Sequence, residues 1–534
     1  MLRTLEWASE LRAGELYPRW ASDFYGGYGS PFFIFYAPAV YAIAALLMSV
    51  FTVFWALKLV ALAAMIAPGV GTFALVYVET RESNAAFLAA IAYLASPYRL
   101  LDLYERGDLS EFTAISLLPV ALALYRAAAK EAIPWRASCF LVAAAGCHAL
   151  MVLSHTILGF WGTIIIGLVV AASAAFLASR GLWRRAGRLL IALCCAPGLA
   201  AVYLAPALAY RELTRMQVMT IGFANPQNQL NRISVLFADH TVMFSRSFLQ
   251  IGPLLSVSAF LTLLGLALDF RAARRALGWV ALTLFLVMLT LPIASGVWAP
   301  GRFPLLQFIQ FPWRLLGPAS LTASVALGIG AAAACNRLGK TTQNGVVIAL
   351  ATAILCVIAL PAVGAPEVAP NGVPNSLLAI RRGTDTSTTN GDEYLPLAAP
   401  APPSTPAKAL VKSASEATVE HTESKASRHY LTIAANRAGA TVELALHAFP
   451  GWRVSTRSGP DQATLDTDSA GLIRLNLPTP GQYKLKVSYG ITPAGAFGAA
   501  LSALSLAILA VLLMRDSAWF SARLASRLDV GGAA

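Results

Sequence analysis

The sequence predicts a polytopic α-helical membrane protein with about eleven spans, one membrane-skimming helix and a small exterior β-sandwich. Three observations carry this. Hydrophobic residues make up 57% of the 534 and charged residues 13%, against roughly a quarter charged in an average soluble chain, and the mean hydropathy is +0.63. Apolar runs of about 20 residues, enough to cross a hydrocarbon core of roughly 30 Å, recur along most of the length. One polar stretch near the C-terminus alternates apolar and polar residues with the period of two that marks half-buried strands. A soluble enzyme is thereby excluded.

Residues 1–53 come first. MLRTLEWASELRAGELYPRW is no signal peptide and reads as an amphipathic helix lying in the membrane interface, with Trp7 and Trp20 as anchors. The apolar run 32–51 follows as the skimming helix, which keeps residues 1–31 exterior. Arg3, Arg12 and Arg19 make unaided export of this tail costly, so a further transmembrane helix is expected upstream of residue 1.

Residues 54–364 form the transmembrane domain, with apolar runs near 54–78, 84–101, 110–129, 137–156, 158–178, 186–208, 251–268, 277–297, 316–335 and 344–364. The eleventh run, 495–514, opens the last segment, 495–534, which ends in a cytoplasmic tail. Lys and Arg number 40 against 27 Asp and Glu, a net charge of +13. They sort onto alternate connections: Arg126, Lys130 and Arg136; Arg180, Arg184, Arg185 and Arg188; Arg271, Arg274 and Arg275; Arg337 and Lys340; Arg515, Arg523 and Arg527. The positive-inside rule makes those loops cytoplasmic, so the basic excess calls for no nucleic-acid partner, and the segments 99–111, 209–250, 298–315 and 365–494 fall on the exterior face. Within 365–494, a Pro/Ala/Ser/Thr-rich lead to 408 precedes RHYLTIAA, ATVELALH, GWRVST, LIRLNL and YKLKVSYG, which predict a β-sandwich. All six cysteines lie in apolar runs, which indicates neither disulfides nor a zinc site.

Polar chemistry concentrates at four exterior places. In 14–41, Asp23 is a lone carboxylate among aromatics, with Arg19 and Tyr28 beside it; the rings either stack on sugar faces or form an aromatic belt. In 97–112, PYRLLDLYERGDLSEF interleaves Asp102, Glu105, Asp108 and Glu111 with Arg99 and Arg106. Such a cluster suits a divalent cation, Mg or Mn, for which Asp102 and Asp108 are candidate ligands, or raises one carboxyl into the range of a base; a solvated ion-pair patch is the alternative. Glu111 stands out because it starts an apolar run, where a carboxylate is harder to hydrate, whereas Asp108 and Ser110 also suit helix capping. His155 sits at the exterior end of a span, fit to take a proton or hold phosphate, or to make an interhelical hydrogen bond. In WAPGRFPLLQFIQFPWRLL, Arg302, Trp313 and Arg314 suit a lipid-linked phosphate, or snorkelling to headgroups. Arg211, Arg215, Arg232, Asp239 and His240 of the 209–250 loop have no interpretable spacing.

GELYPRW, GYGSPFFIFYAP, SPYRLLDLYERGDLSEF, SHT, QFPWRLLG, DEYLP and FPGWRV together resemble bacterial integral membrane proteins labelled "6-pyruvoyl-tetrahydropterin synthase-related domain", close to YfhO-like proteins, over nearly the whole chain. The label implies no pterin chemistry, since no soluble synthase body or zinc-histidine cluster accompanies it. More distantly the layout is similar to GT-C glycosyltransferases, which use polyprenyl-phosphate-linked sugar donors on the exterior face and carry acids in their first two exterior loops. The resemblance implies a GT-C-like inner-membrane enzyme that transfers a sugar to a cell-envelope glycan, lipid or protein. Asp23 and Glu111 would be catalytic and meet in one pocket; Arg19, Tyr28, Arg106, Asp108, His155, Arg302, Trp313, Arg314, Glu393 and Tyr394 would bind substrate. The usual first-loop Asp of that superfamily would precede Met1. A flippase of lipid-linked saccharides and a non-catalytic envelope scaffold are the rival readings.

Overall fold

The structure, a computed structural model, describes residues 1–237, 250–336, 340–355 and 392–531. Asp239, His240, Arg337, the second half of the run at 344–364 and the lead 365–391 lie outside the described residues. The principal helices are α1 (Leu2–Arg12), α2 (Phe32–Phe35), α3 (Ala39–Leu47), α4 (Val53–Thr80), α5 (Ser83–Leu94), α6 (Pro97–Tyr104), α7 (Leu109–Lys130), α8 (Pro134–Ser154), α9 (Thr156–Ser179), α10 (Trp183–Leu199) and α11 (Ala201–Tyr210). They continue with α12 (Gly252–Leu268), α13 (Ala276–Leu289), α14 (Leu316–Cys335), α15 (Lys340–Ile354) and α16 (Pro493–Gly531). Contacts divide the chain into two compact units: Met1–Val60 with Val202–Ile221 and Val368–Ala500, and Ala61–Ala201 with Gly222–Glu367 and Leu501–Ala534.

The first unit contains eight antiparallel strands, β1 (Val411–Ser415), β2 (Ala417–Lys425), β3 (Arg428–Ala435), β4 (Ala440–His447), β5 (Trp452–Ser458), β6 (Thr464–Thr467), β7 (Leu472–Leu477) and β8 (Gly481–Tyr489). They form two four-stranded sheets, ordered β1-β4-β7-β6 and β2-β3-β8-β5. Leu431, Ile433, Val442, Leu444, Ile473, Leu475, Leu485 and Val487, drawn from both sheets, pack into one apolar cluster. The strict alternation in β3 makes this possible, because every second residue faces inward and each buried Leu, Ile or Val contributes about 1.5–3 kcal/mol over exposure.

A second cluster in this unit gathers Trp7, Trp20, Phe24, Phe32, Phe33, Phe35 and Tyr394. Trp7 and Trp20 are 3% and 1% exposed. They are core residues, not the interfacial anchors expected of them: Trp20 stacks on Tyr489 at 5.1 Å and meets Trp452 edge-on at 5.2 Å. Gly29 has φ +76°, and a Cβ there would collide with the Trp20 indole, so the Gly-rich turn is a packing requirement. The His447 backbone N–H donates to Tyr28 O at 2.9 Å, and its imidazole bonds Gly29 O at 2.7 Å, which ties the turn to β4. The run 32–51 is broken at Pro38 into α2 and α3.

Among the described residues each of the eleven predicted spans overlaps a helix, with 277–297 outrunning its helix by eight residues and 344–364 described only to residue 355. Six helices among the described residues are long and apolar enough to cross a membrane: α4, α7, α8, α9, Pro312–Cys335 and Pro493–Asp516. Two further segments are bent pairs, α5 with α6 and α10 with Ala201–Leu213, which raises the number to eight if each pair is one span. The remaining three, on α12, α13 and Thr342–Ile354, are shorter apolar helices. In the second unit α14 is buried on all sides, and its small residues explain how. Gly328 faces Ala89 and Val76, and Gly330 faces the backbone of Leu261 and Thr262, so neighbouring helices approach where a side chain would hold them apart.

Charge sorts to the two ends of α7. Arg126 Nε binds Glu79 at 2.6 Å and Lys130 binds it at 2.9 Å, while Arg275 donates to Glu79 O at 2.9 Å and Arg188 pairs with Asp516 at 2.8 Å. Glu111 opens the same helix. Fifteen residues separate Glu111 from Arg126, about 22 Å at 1.5 Å per residue, so the basic network and the acidic start lie on opposite sides of an apolar layer.

Candidate functional site: a buried carboxylate–arginine cluster

The bend between α6 and α7 builds the site. Asp108 caps α7, its Oδ1 accepting the Glu111 N–H at 3.0 Å, which fixes Glu111 in the first turn. Asp102 and Arg106 are one helical turn apart, and the Arg106 guanidinium binds the Asp102 carboxylate. It also lies 3.1 Å from Glu111 and 3.8 Å from Asp108, so one cation touches three carboxylates. Burial works against the charge on Arg106, but Glu111, Tyr98 and Asp102 outweigh it and raise its pKa above the ordinary arginine value.

From a distant part of the sequence, the turn before α14 adds Arg314, whose Nε lies 3.0 Å from Glu111 Oε2. That Nε misses hydrogen-bond geometry, so the contact is an ion pair only. The other end of the guanidinium donates to Ile309 O and Gln310 Oε1, both at 3.1 Å, and Gln310 takes a positive φ of 60°. Tyr98 donates its hydroxyl to Glu111 Oε1, and Trp313 lies under Arg106 at 4.9 Å. Glu111, fully buried, thus faces two guanidiniums and a phenol. Asp102 is equally buried, and among the described residues nothing donates a hydrogen bond to its Oδ2.

His155 caps α9 by accepting the Leu158 N–H on Nδ1 at 3.2 Å. Its neutral ring therefore carries the proton on Nε2, the atom 3.9 Å from Glu111 Oε2. Asp108, Glu111 and His155 each offer one ligand atom within 4.8 Å of the others. Yet Nε2 has no lone pair in this tautomer, and both Glu111 oxygens already face guanidinium groups. So arranged, Glu111 and His155 face donors and do not offer free lone pairs to a Mg or Mn ion.

The other predicted residues are placed as follows. Arg302 is exposed and donates to Gly296 O at 3.3 Å, apart from the cluster contacts. In the first unit Asp23 is 5% exposed, and its N–H donates to Glu6 Oε1 at 3.0 Å. Arg19 stacks over Tyr17 at 5.0 Å, Tyr28 is half-buried near His447, and Tyr394 is buried parallel to Phe35 at 5.8 Å, with Glu393 half-buried beside it. The aromatics of 14–41 are mostly packed on one another and do not offer open faces for stacking sugars.

Sequence reasoning missed Glu6 and Glu10, both 1% exposed on α1. Burial, then Asp23 and Glu10, pushes the Glu6 carboxyl well above the usual range. Burial pushes Glu10 up to about 7, against the Ser22 hydroxyl that donates to it at 2.5 Å. Their spacing of four residues was the only available signal. Among known proteins, no family model, no curated protein and no solved structure matches the chain.

Proposed function

We propose that this chain is a GT-C-like glycosyltransferase of the bacterial inner membrane, resembling YfhO-like proteins, with about eleven spans and the β-sandwich on the periplasmic side. It transfers a sugar from a polyprenyl-phosphate-linked donor to a cell-envelope acceptor. The observation that supports this best is the cluster of Arg106, Arg314, Tyr98 and His155 around Glu111: donors held at one end of apolar helices, where scarce water strengthens their pull on a phosphate. In the reaction the sugar C1–O(phosphate) bond breaks, the acceptor oxygen bonds to C1, the acceptor proton passes to a carboxylate, and the lipid phosphate leaves with the negative charge. Glu111, facing two guanidiniums, acts by positioning them. Asp108, whose side chain is 21% exposed, is the stronger candidate for the base beside this cluster.

A flippase for lipid-linked saccharides is favoured by one observation, the 49° break between α5 and α6, because interrupted helices line transporter sites. The test is sugar transfer from a radiolabelled polyprenyl-phosphate sugar in proteoliposomes, comparing wild type with Asp108→Asn, Asp23→Asn and Arg314→Ala. Transfer that falls at least a hundredfold in either Asp variant supports the enzyme. Lipid translocation without transfer by the wild type moves the assignment to the flippase.

A further inference from the structure

Arg106 and Arg314 are already matched by carboxylates, whereas Arg99, one helical turn before Asp102 on α6, is not. It is 1% exposed, and among the described residues no carboxylate lies within 4 Å of it. Among the described residues its hydrogen bonds are two long ones, to Ser116 Oγ at 3.3 Å and Ala64 O at 3.4 Å, and none reaches its Nε. The rings of Tyr93 and Phe112, each 5.0 Å away, give partial compensation. A cation in so dry a place is costly unless an anion meets it.

Arg99 is also the one charged residue lining an open cavity of about 640 Å³ between α4, α5, α6 and the start of α7. The other lining residues are apolar, and those at the rim are turned outward: Leu62 is 52% exposed, Ile66 57%, Val70 63% and Phe87 47%. α4 is itself among the helices apolar enough to cross a membrane, so this rim faces hydrocarbon. A water-soluble anion has no path along such walls. A hydrocarbon chain does, and the buried charge at the groove's inner wall specifies what the chain must carry.

We propose that this groove holds the isoprenoid chain of a polyprenyl phosphate and that Arg99, in addition to the arginines paired with Glu111, is a cation that recognises its phosphate. The proposal rests on the transferase reading for the identity of the lipid. It adds a binding residue and a chain site one helical turn before Asp102 on α6, next to the carboxylate cluster.

The experiment is photolabelling of the full-length protein in proteoliposomes with undecaprenyl phosphate carrying a benzophenone at its distal end. Competitors are undecaprenyl phosphate, undecaprenol and dioleoyl phosphatidylglycerol. Wild type is expected to label saturably on peptides from α4 and α5, with undecaprenol competing at least tenfold more weakly than the phosphate. Arg99→Gln erases that tenfold preference, and Val70→Trp, at an exposed rim position that tolerates a large ring, lowers labelling by both lipids. Arg99→Gln leaves the melting temperature of the delipidated protein unchanged or higher, because an unpaired buried charge is removed; a purely structural arginine would lower it. Labelling that is insensitive to both variants, or equal competition by phosphatidylglycerol, overturns the groove assignment and leaves the transferase reading standing. Absence of saturable labelling in the wild type overturns both.

Discussion

Replacing Glu10 by Gln tests the buried acids of α1 most directly. In the folded chain burial raises the Glu10 carboxyl from its ordinary 4.5 to about 7, with Ser22 opposing. The folded state therefore binds more protons than the unfolded state between those two values, and stability must fall as pH rises through that window. At about 1.4 kcal/mol per unit, the loss amounts to about 3 kcal/mol by pH 8. Glu10→Gln keeps an oxygen for the Ser22 hydroxyl but cannot ionise. It is expected to match wild type near pH 4.5 and to exceed it by about 3 kcal/mol at pH 8, roughly 6–12 °C in melting temperature for a unit of about 200 residues. The assay is thermal melting in detergent from pH 4.5 to 8, followed by tryptophan fluorescence, for which Trp7 and Trp20 lie in the same core. A wild-type melting temperature that stays flat or rises across the window, or a variant that tracks wild type, would refute the reasoning.

Glu111→Gln and Arg314→Ala should each destabilise by about 3 kcal/mol or more, since each strands a buried partner, and the double variant should fall short of the sum by about 1–3 kcal/mol in a denaturation cycle. His155→Ala is expected to cost about 1 kcal/mol through the lost cap on α9, and His155→Asn to restore most of it, read by thermal melting. Gly29→Ala should cost at least about 2 kcal/mol and shift the tryptophan emission, because the residue takes a positive φ against the Trp20 ring. Single cysteines at Asp108 and Arg271 should label from opposite sides of sealed vesicles, with Asp108 periplasmic; labelling from one side would remove the topology on which the transferase reading depends.

Much of the architecture was legible in local pattern. Apolar length marked the segments that became helices, and the period of two in RHYLTIAA marked β3 with its Leu431 and Ile433 turned inward. Asp108 was legible as a cap because capping depends on the three residues that follow it. What failed were judgements about burial. Residues 1–20 read as an interfacial amphipathic helix with Trp7 and Trp20 as its anchors, yet both tryptophans, and with them Glu6 and Glu10, are buried. Helical spacing shows which residues share a face, but not what covers that face.

The same limit applies to the site. By itself the sequence determined that this chain has helices suited to a bilayer, with carboxylates and arginines grouped at their ends, because hydrophobic length and charge spacing are properties of neighbouring residues. Only the tertiary structure decided that Arg314, about 200 residues away, and His155 turn toward Glu111, that the neutral histidine has its proton on the inward nitrogen, and that no carboxylate among the described residues comes within 4 Å of Arg99. Those outcomes depend on which helices pack together, and a buried charge takes its partner from whatever packing brings within about 4 Å, whatever its distance along the chain.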